Sequence, residues 1–537
     1  MTKSQNYLLV LFALLVACSP RSETQTAPAE TSGILTFIHL NDTYRIDAVE
    51  DGKAGGFSRV VTLIRELKNQ GNDVRILHGG DFLFPSLESQ LWGGEQMVEA
   101  LNFIDDLAPL YAVPGNHEFD PRTPDAVINA VKLSRFDWLG DNLRLDTGDQ
   151  GVDQSLRTGF IFESLGRKIG IVSLTTHEKD DGNNRDYAPI DGDYLAVAEG
   201  TLKEFEAQGV DMIIGLTHLY LRVDKEIAKL KANHPNFLFI VGGHDHEPEY
   251  EAATESSAEI MKGASNARTI WQIDVSFPDD GGVPEITTKA ASMDETISSD
   301  PEYDAFASRW RQRLLDIFPF LPAQVGAAAV KLDAREVTIR NEESNWGNFI
   351  VDQMRTAFGE PAADFAFINS GTLRIDDYIA EDVTFEDIAR TFGFSSFLRH
   401  LTLSGRDFKA LLETGYRGEG PSKGFFPQIS GFRVCVDGNR NVGDRIVQLQ
   451  VPMEGSWADI DPDKDYGVVA PDFLYRGGDG YDFSEARDVS RPGSELKYLV
   501  LDAVIQAQAA GETIGKPVDP LDPRIAFIQK EQMRCFQ

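Results

Sequence analysis

Tyr111 to Asp120 reads YAVPGNHEFD: a short apolar run stops at Pro114-Gly115, and Asn116, His117, Glu118 and Asp120 follow at once. An apolar run ending at a Pro-Gly break predicts a buried strand that empties into a tight loop. In open α/β sheets ligand groups collect at such carboxyl ends.

The same grammar stands on both sides of this stretch. Upstream, Ile34 to Leu40 predicts a strand that runs into Asn41-Asp42-Thr43-Tyr44, and Val74 to Leu77 one that runs into His78-Gly79-Gly80-Asp81. Between them Val60, Val61, Ile64 and Leu67 fall at helical spacing, and Glu95 to Phe103 predicts a second helix. Downstream, strands are predicted at Lys168 to Leu174, Asp211 to Leu216 and Phe237 to Val241, with helices at Leu195 to Gln208 and Val223 to Ala232. The last two strands deliver Thr217-His218 and Gly242-Gly243-His244-Asp245-His246. Alternation of this kind predicts an α/β domain with its helices outside.

Asp42, Asp81, Asn116 with His117, His218, and His244 with His246 therefore sit at the ends of five predicted strands. Carboxylate, amide oxygen and imidazole are the donors expected around one or two divalent ions of the Mn, Fe, Co or Zn type, whereas all-oxygen sites suit Mg or Ca. His39, His78, His177, His234 and His400 lack this company and are read as structural or surface residues.

These loops, Asp42, Gly80-Asp81, Gly115-Asn116-His117-Glu118, Thr217-His218 and Gly243-His244-Asp245-His246, resemble in order the motif series of the calcineurin-like metallophosphoesterases. Further on, Arg340-Asn341-Glu342-Glu343, Asn369 to Arg374 (NSGTLR), Phe425 to Gly431 (FFPQISG) and Gly477 to Tyr481 (GGDGY) are similar to the C-terminal domain of 5'-nucleotidases. The resemblance implies a four-layer α/β/β/α sandwich over 34–298, a linker helix and hinge over 299–325 with Pro319 to Gly326 as the turning point, and an α/β substrate-binding domain over 326–537. It also implies an exported phosphohydrolase that releases phosphate from nucleotides. Two divalent ions would be bridged by Asp81, one also taking Asp42 and His246, the other Asn116, His218 and His244. A hydroxide held by the pair would attack phosphorus in line. His117 would stabilise the phosphoryl oxygens and protonate the leaving group, oriented by Asp120, with Glu118 as loop support. Asn369 and Arg374 would contact the substrate, and Phe426 and Tyr481 would stack its base.

The pattern is broken twice. The family's Asp-x-His reads Asp42-Thr43-Tyr44 here, and Glu342 stands where an Arg is common. Three consequences of Tyr44 compete: weaker binding with water in the gap, recruitment of Tyr44 with preference for another metal, or function with one ion; the first is the expectation. Glu342 would repel an anionic substrate, and Arg340 is the residue placed to compensate. A sugar-nucleotide diphosphatase, a cyclic phosphodiesterase, a thiosulfohydrolase and a non-catalytic solute-binding lipoprotein are the competing readings.

The 537 residues suffice for two cores, and a formal charge of −34 disfavours a nucleic-acid polymer as partner. Residues 1–18 read as an export signal, with Tyr7 to Ala17 as its apolar segment. The Leu15-Val16-Ala17-Cys18 ending resembles a bacterial lipoprotein cleavage site, which implies a lipid anchor on Cys18 and an envelope location, with Ser19 pointing to the outer membrane. Residues 19–33 read as a disordered tether. An oxidising compartment leaves a Cys435–Cys535 disulfide open.

Overall fold

The computed structural model describes residues 33–177, 185–278, 282–418, 423–528 and 535–536. The export signal, Cys18 and nearly all of the tether lie outside these residues. The first half is built on two six-stranded sheets. One contains β1 (Ile34–Leu40), β2 (Asp73–His78), β3 (Leu110–Ala112) and β4 (Asp137–Trp138). The other contains β5 (Phe160–Ser164), β6 (Arg167–Thr175), β7 (Met212–His218), β8 (Phe237–Gly242), β9 (Glu249–Glu251) and β10 (Glu259–Lys262). The antiparallel pair β11 (Thr269–Ser276) and β12 (Glu285–Ser292) returns to the first sheet, in the order β12-β11-β1-β2-β3-β4. The second sheet runs β5-β6-β7-β8-β10-β9.

Strand alternation explains the layers. Leu35, Phe37, Leu77 and Tyr111 of the first sheet meet Ile169, Ile171, Ile214 and Leu216 of the second in a buried seam. The alternate residues Ile38 and Leu40 face outward beneath Val60, Val61 and Ile64 of the helix Phe57–Asn69 and Tyr303 and Trp310 of the helix Pro301–Ile317. On the far side Ala198, Leu202 and Phe205 cover Val172, Ile213 and Ile240. Each fully buried Leu, Ile or Phe contributes about 1.5–3 kcal/mol of transfer free energy. The layering is therefore helix, sheet, sheet, helix, as the sequence predicts.

Pro301 opens the helix Pro301–Ile317, where its missing N–H costs nothing, and Asp300 caps it by accepting from Glu302 N and Tyr303 N. Gln324–Ala327 is already a strand, paired with Asp382–Thr384, so only residues 319–323 of the expected turning point Pro319 to Gly326 are free of sheet structure. In the second half, Leu398–Ser404, Asp465–Pro471, Phe365–Asn369 and Pro427–Ser430 form a mixed four-stranded sheet in that order. The helices Asn345–Thr356 and Leu496–Ala510 contribute Ile350, Val351, Met354, Val500 and Val504 to one core of this half. Cys435 and Cys535 form a disulfide, their Cα atoms 5.5 Å apart.

Ion pairs tie the halves together. Arg390 pairs with both Glu88 and Glu386, and Glu386 pairs in turn with Arg311 of the long helix. Among the described residues no helix is long and apolar enough to cross a membrane.

Candidate active site

The loops that follow β1, β2, β3, β7 and β8 converge at one end of the sandwich. Adjacent strands β1, β2 and β3 bring Asp42, Asp81 and Asn116 together; β7 and β8, facing them, bring His218, His244 and His246. Asp42, Asp81, His244 and His246 all have left-handed backbones, with φ of 51°, 59°, 81° and 66°. Such conformations cost about 1–3 kcal/mol each and persist only when the surroundings enforce them. Here the enforcement is visible: Asp42 N donates to Gly80 O, Asn266 N to Asp42 O and Ser265 N to His246 O, at 2.8–2.9 Å. The approach is close enough that a Cβ on Gly115 would lie 2.1 Å from Asp81 Oδ1. Glu118 fixes the same corner. Its carboxylate accepts from the backbone N–H groups of Asp81, Phe82, Leu83 and Gly115, and burial raises it to about 7.

Two groups of donor atoms result. In the first, His218 gives its Nδ1 to Gly79 O at 2.6 Å, which leaves Nε2 with a lone pair. That lone pair faces Asp81 Oδ2 and Asn116 Oδ1, each 3.2 Å away. His244 Nδ1 stands 3.1 Å from Asn116 Oδ1 and 3.3 Å from His218 Nε2. Burial opposes a charged His218, but the Asp81 and Asp42 carboxylates override it and carry the imidazole up to about 10, so that Nε2 holds a proton wherever no other cation takes its lone pair. Burial likewise opposes ionisation of Asp81, and His218 and His117 hold its carboxyl well below the usual range. A field that holds a proton this strongly also draws a metal cation, and the ligands it offers are those of a transition metal.

In the second group, His246 turns its Nδ1 to Glu336 Oε2 at 2.9 Å and points Nε2 at Asp42 Oδ1, 3.4 Å away. Asp81 is common to both groups. Asp42, Asp81 and His218 alone present three buried donor atoms within 4.8 Å of one another. The donor chemistry and the convergence of lone pairs both fit a pair of metal ions.

Beside these groups lies His117, whose Nδ1 faces both oxygens of Asp120 at 3.0 Å. Burial disfavours the charged ring, yet Asp120 and Asp81 outweigh it and raise the imidazole above its ordinary value. Its Nε2 contacts Arg374 Nη2 at 3.0 Å, so a residue of the second half reaches the centre of the first. Arg374 keeps Nε and Nη1 buried with no hydrogen-bond partner among the described residues.

A cavity of about 320 Å³ opens here between the halves, within the size range of small-molecule sites. Asp81, Asn116, His117, His244 and His246 form one wall, and Arg340, Asn369 and Arg374 the other. Phe426 and Tyr481 are not on it. Both are buried in the hydrophobic core of the second half, and the Tyr481 hydroxyl donates to Phe425 O at 2.8 Å. The aromatic rings that do face the cavity from the second half belong to Phe394, Phe425 and Phe473. Glu342 does not line it, whereas Arg340 does.

Two supporting residues carried no sequence signal. Lys262, fully buried, places Nζ against Asp224, Asp245 and the carbonyls of Leu219 and Gly243, which anchors the His244 loop. Glu336, from the second half, orients His246. His39 and His78, read as structural, are buried struts: His39 spans Leu77 O and Gly242 O, and His78 Nε2 meets Thr43 Oγ1 at 2.8 Å.

Residues 35–248 match the family model described as calcineurin-like phosphoesterase, and residues 324–485 that of the 5'-nucleotidase C-terminal domain. The trifunctional nucleotide phosphoesterase protein YfkN of Bacillus subtilis is 26% identical over 508 residues, covering 87% of this chain. The chain spans only 33% of that longer protein. The 5'-nucleotidase of Bos taurus is 24% identical, with 89% of each chain covered. Among solved structures, a 5'-nucleotidase precursor from Thermus thermophilus superposes with a TM-score of 0.77 at 22% identity, covering 93% of this chain and 100% of that one. With a phosphoesterase sandwich followed by a nucleotidase C-terminal domain, the chain belongs to the 5'-nucleotidase-like metallophosphoesterases, a family of hydrolases.

Proposed function

We propose that this protein hydrolyses a small phosphate ester, a nucleotide, in the cavity between its halves. The observation that carries the proposal is that three features meet at this cavity: the convergent donor groups, the His117–Asp120 pair and the unspent guanidinium N–H groups of Arg374. We assign Asp81 as the shared ligand of two divalent ions of the Mn, Zn, Co or Fe type, Asp42 and His246 to one, and Asn116, His218 and His244 to the other. When bound, a metal pair supplies Lewis-acid neutralisation of phosphoryl charge and a nucleophile at neutral pH.

The chain's own residues do the rest. Arg374 offers two charge-assisted donors to the phosphate, and Arg340 adds positive charge nearby. His117, with Nδ1–H held by Asp120, presents Nε2 to the phosphoryl and leaving oxygens once the phosphate takes the Arg374 guanidinium that Nε2 contacts. Asn369, held by Thr372 and Asp479, lines the region where the leaving group would lie. Phe425 and Phe473 offer flat faces for a base, in place of Phe426 and Tyr481.

The test is phosphate release from nucleoside monophosphates, UDP-glucose, cyclic nucleotides and an aryl phosphate, with Mn, Co, Zn and Mg in turn. Release from the monophosphates is expected, with His117→Ala strongly impaired. Silence on every ester, or a His117→Ala variant equal to the parent, would sink the proposal. Turnover restricted to UDP-glucose or cyclic substrates would replace the nucleotidase reading by one of those.

For location, we propose a lipid anchor at Cys18 and residence in the envelope, facing the periplasm or the surface. The Cys435–Cys535 disulfide supports an oxidising compartment. Palmitate labelling of the full chain in its host, absent in Cys18→Ala, is the expected result; equal labelling in both refutes it.

A further inference from the structure

The hydroxyl of Tyr44 is set among the donors of the second group. It lies 3.4 Å from Asp42 Oδ1, 3.3 Å from Asp81 Oδ2 and 3.1 Å from His246 Nε2. A hydroxyl has one proton, and committed to a single acceptor it would close to about 2.7–2.8 Å. Tyr44 instead stays long to all three. His246 spends its Nδ1 on Glu336, so Nε2 carries a lone pair, and both carboxylates are acceptors only.

The spacing has another meaning. Four ligands at about 2.0–2.2 Å around a tetrahedral ion stand roughly 3.3–3.6 Å apart. The neighbouring group, His218, Asn116, His244 and Asp81, repeats nearly the same spacing, 3.1–3.3 Å. The phenol oxygen thus stands at ligand spacing from all three donors, in the place where water is the expectation from the sequence.

The ring is held so that this oxygen stays in place. It stacks on His246 with centroids 5.5 Å apart and meets His117 edge-on at 6.1 Å. The Arg374 guanidinium lies 5.4 Å over its face, and Tyr44 N donates to Asn266 Oδ1 at 3.0 Å. Only 5% of Tyr44 is exposed, so solvent does not compete for the vertex.

We propose that Tyr44 is the fourth ligand of the Asp42–Asp81–His246 site, binding as phenolate and fitting that site to a hard trivalent cation such as ferric ion. This rests on the ligand sets proposed above and replaces the divalent ion at the Asp42–Asp81–His246 position by a trivalent one. Two carboxylates and a phenolate give this site three anionic oxygens and one imidazole. The neighbouring site has one shared carboxylate, an amide and two imidazoles, a set suited to a divalent ion. The two positions are chemically unequal. Binding exchanges the phenol proton for the metal: the O–H bond breaks, an O–Fe bond forms, H⁺ leaves to solvent, and iron stays in the ferric state.

The test uses full-length protein freed of metal by chelation and loaded with ferric ion, with zinc, or with both. Metal per chain, the visible spectrum and resonance Raman scattering are recorded. With ferric ion the parent is expected to show a phenolate-to-iron charge-transfer band and phenolate Raman modes. Tyr44→Phe keeps the ring, loses both signals and binds ferric ion about tenfold or more weakly. Tyr44→His takes two zinc ions without colour. A ferric-loaded parent with no band, or a Tyr44→Phe variant with the parent's spectrum, overturns the inference. If Tyr44→Phe fails to fold by apoprotein melting, the Raman modes of the parent alone decide. A parent that binds no metal overturns the ligand assignment itself, whereas two zinc ions bound equally by parent and Tyr44→Phe, with no iron colour, overturn only the role of Tyr44.

Discussion

His117 has three neighbours with different duties. Asp120 holds its Nδ1, Arg374 touches its Nε2, and its backbone N–H donates to Asp81 Oδ1 at 2.8 Å. The ring is thereby fixed relative to the donor atoms without being one of them. A positioned acid of this kind is worth about 10²–10⁴ in rate, so His117→Ala should lower kcat by that factor on a nucleoside monophosphate. The loss should shrink on an aryl phosphate, whose leaving oxygen needs no proton. Asp120→Asn should cost less, because it spoils orientation and leaves the imidazole in place. If the pair acts as a unit, the double variant is no slower than His117→Ala alone, and multiplicative losses in steady-state kinetics would exclude that.

At the scale of elements, the ion-pair chain Glu88–Arg390–Glu386–Arg311 clips the first half and the long helix to the helix Phe385–Thr391. Burial works against ionisation of Glu386, but hydrogen bonds from Arg311 and the charge of Arg390 bring it down to about 2. A depressed carboxyl stabilises the folded state above its unfolded pKa, near 4.5, and loses that contribution as pH falls toward 2. Discounted for solvent screening, the contribution is about 1–2 kcal/mol. Glu386→Gln should therefore lower the urea midpoint at neutral pH, and its difference from the parent should shrink as pH falls from about 4.5 toward 2. A constant difference would mean that the charge is irrelevant. Elements are also what the sequence discloses best. Strands β1, β2, β7 and β8 and the helix at 301–317 are legible because period and punctuation agree there. The metal-type residues are legible because each follows such a strand. Phe426 and Tyr481 mislead for a local reason: the turn Lys423–Phe426, closed by Phe426 N donating to Lys423 O, leaves Phe425 on the cavity wall and turns Phe426 into the core that also holds Tyr481. Lys262 and Glu336 are invisible because their partners lie far along the chain, Asp224 and Asp245 for one, His246 for the other. Tyr44 reads in sequence as a missing ligand, since its oxygen's position follows from packing on His246 rather than from spacing.

On the scale of the whole molecule, neither half completes the site. The first half supplies the donor atoms and His117, the second Arg374, Arg340 and the aromatic wall. The link that matters most is Glu336. Its Oε2 accepts from His246 and from Ser265 Oγ at 2.8 Å, its Oε1 from Arg340 at 2.7 Å, and its backbone N–H donates to Asp376 Oδ1. Asp376 in turn accepts from Asn266 Nδ2, whose own chain bonds to Asp42 and Tyr44. The second half therefore sets the orientation of His246 and braces the Asp42–Tyr44 loop. Partners that orient metal-ligating imidazoles are worth about 10–100-fold in affinity when lost. Glu336→Gln, which keeps the shape and removes the charge, should thus weaken one of the two metal equivalents by that factor in chelator competition and leave the other unchanged. Because Arg340 loses its partner in the same variant, a rise in KM accompanies the change. Equal weakening of both equivalents would mean that Glu336 acts through general stability, and no weakening would mean that the first half orients His246 unaided. The selective loss is the outcome this architecture requires, since the hydrogen bonds that hold His218 and His244 run to Gly79, to Asn116 and between the two rings rather than to Glu336.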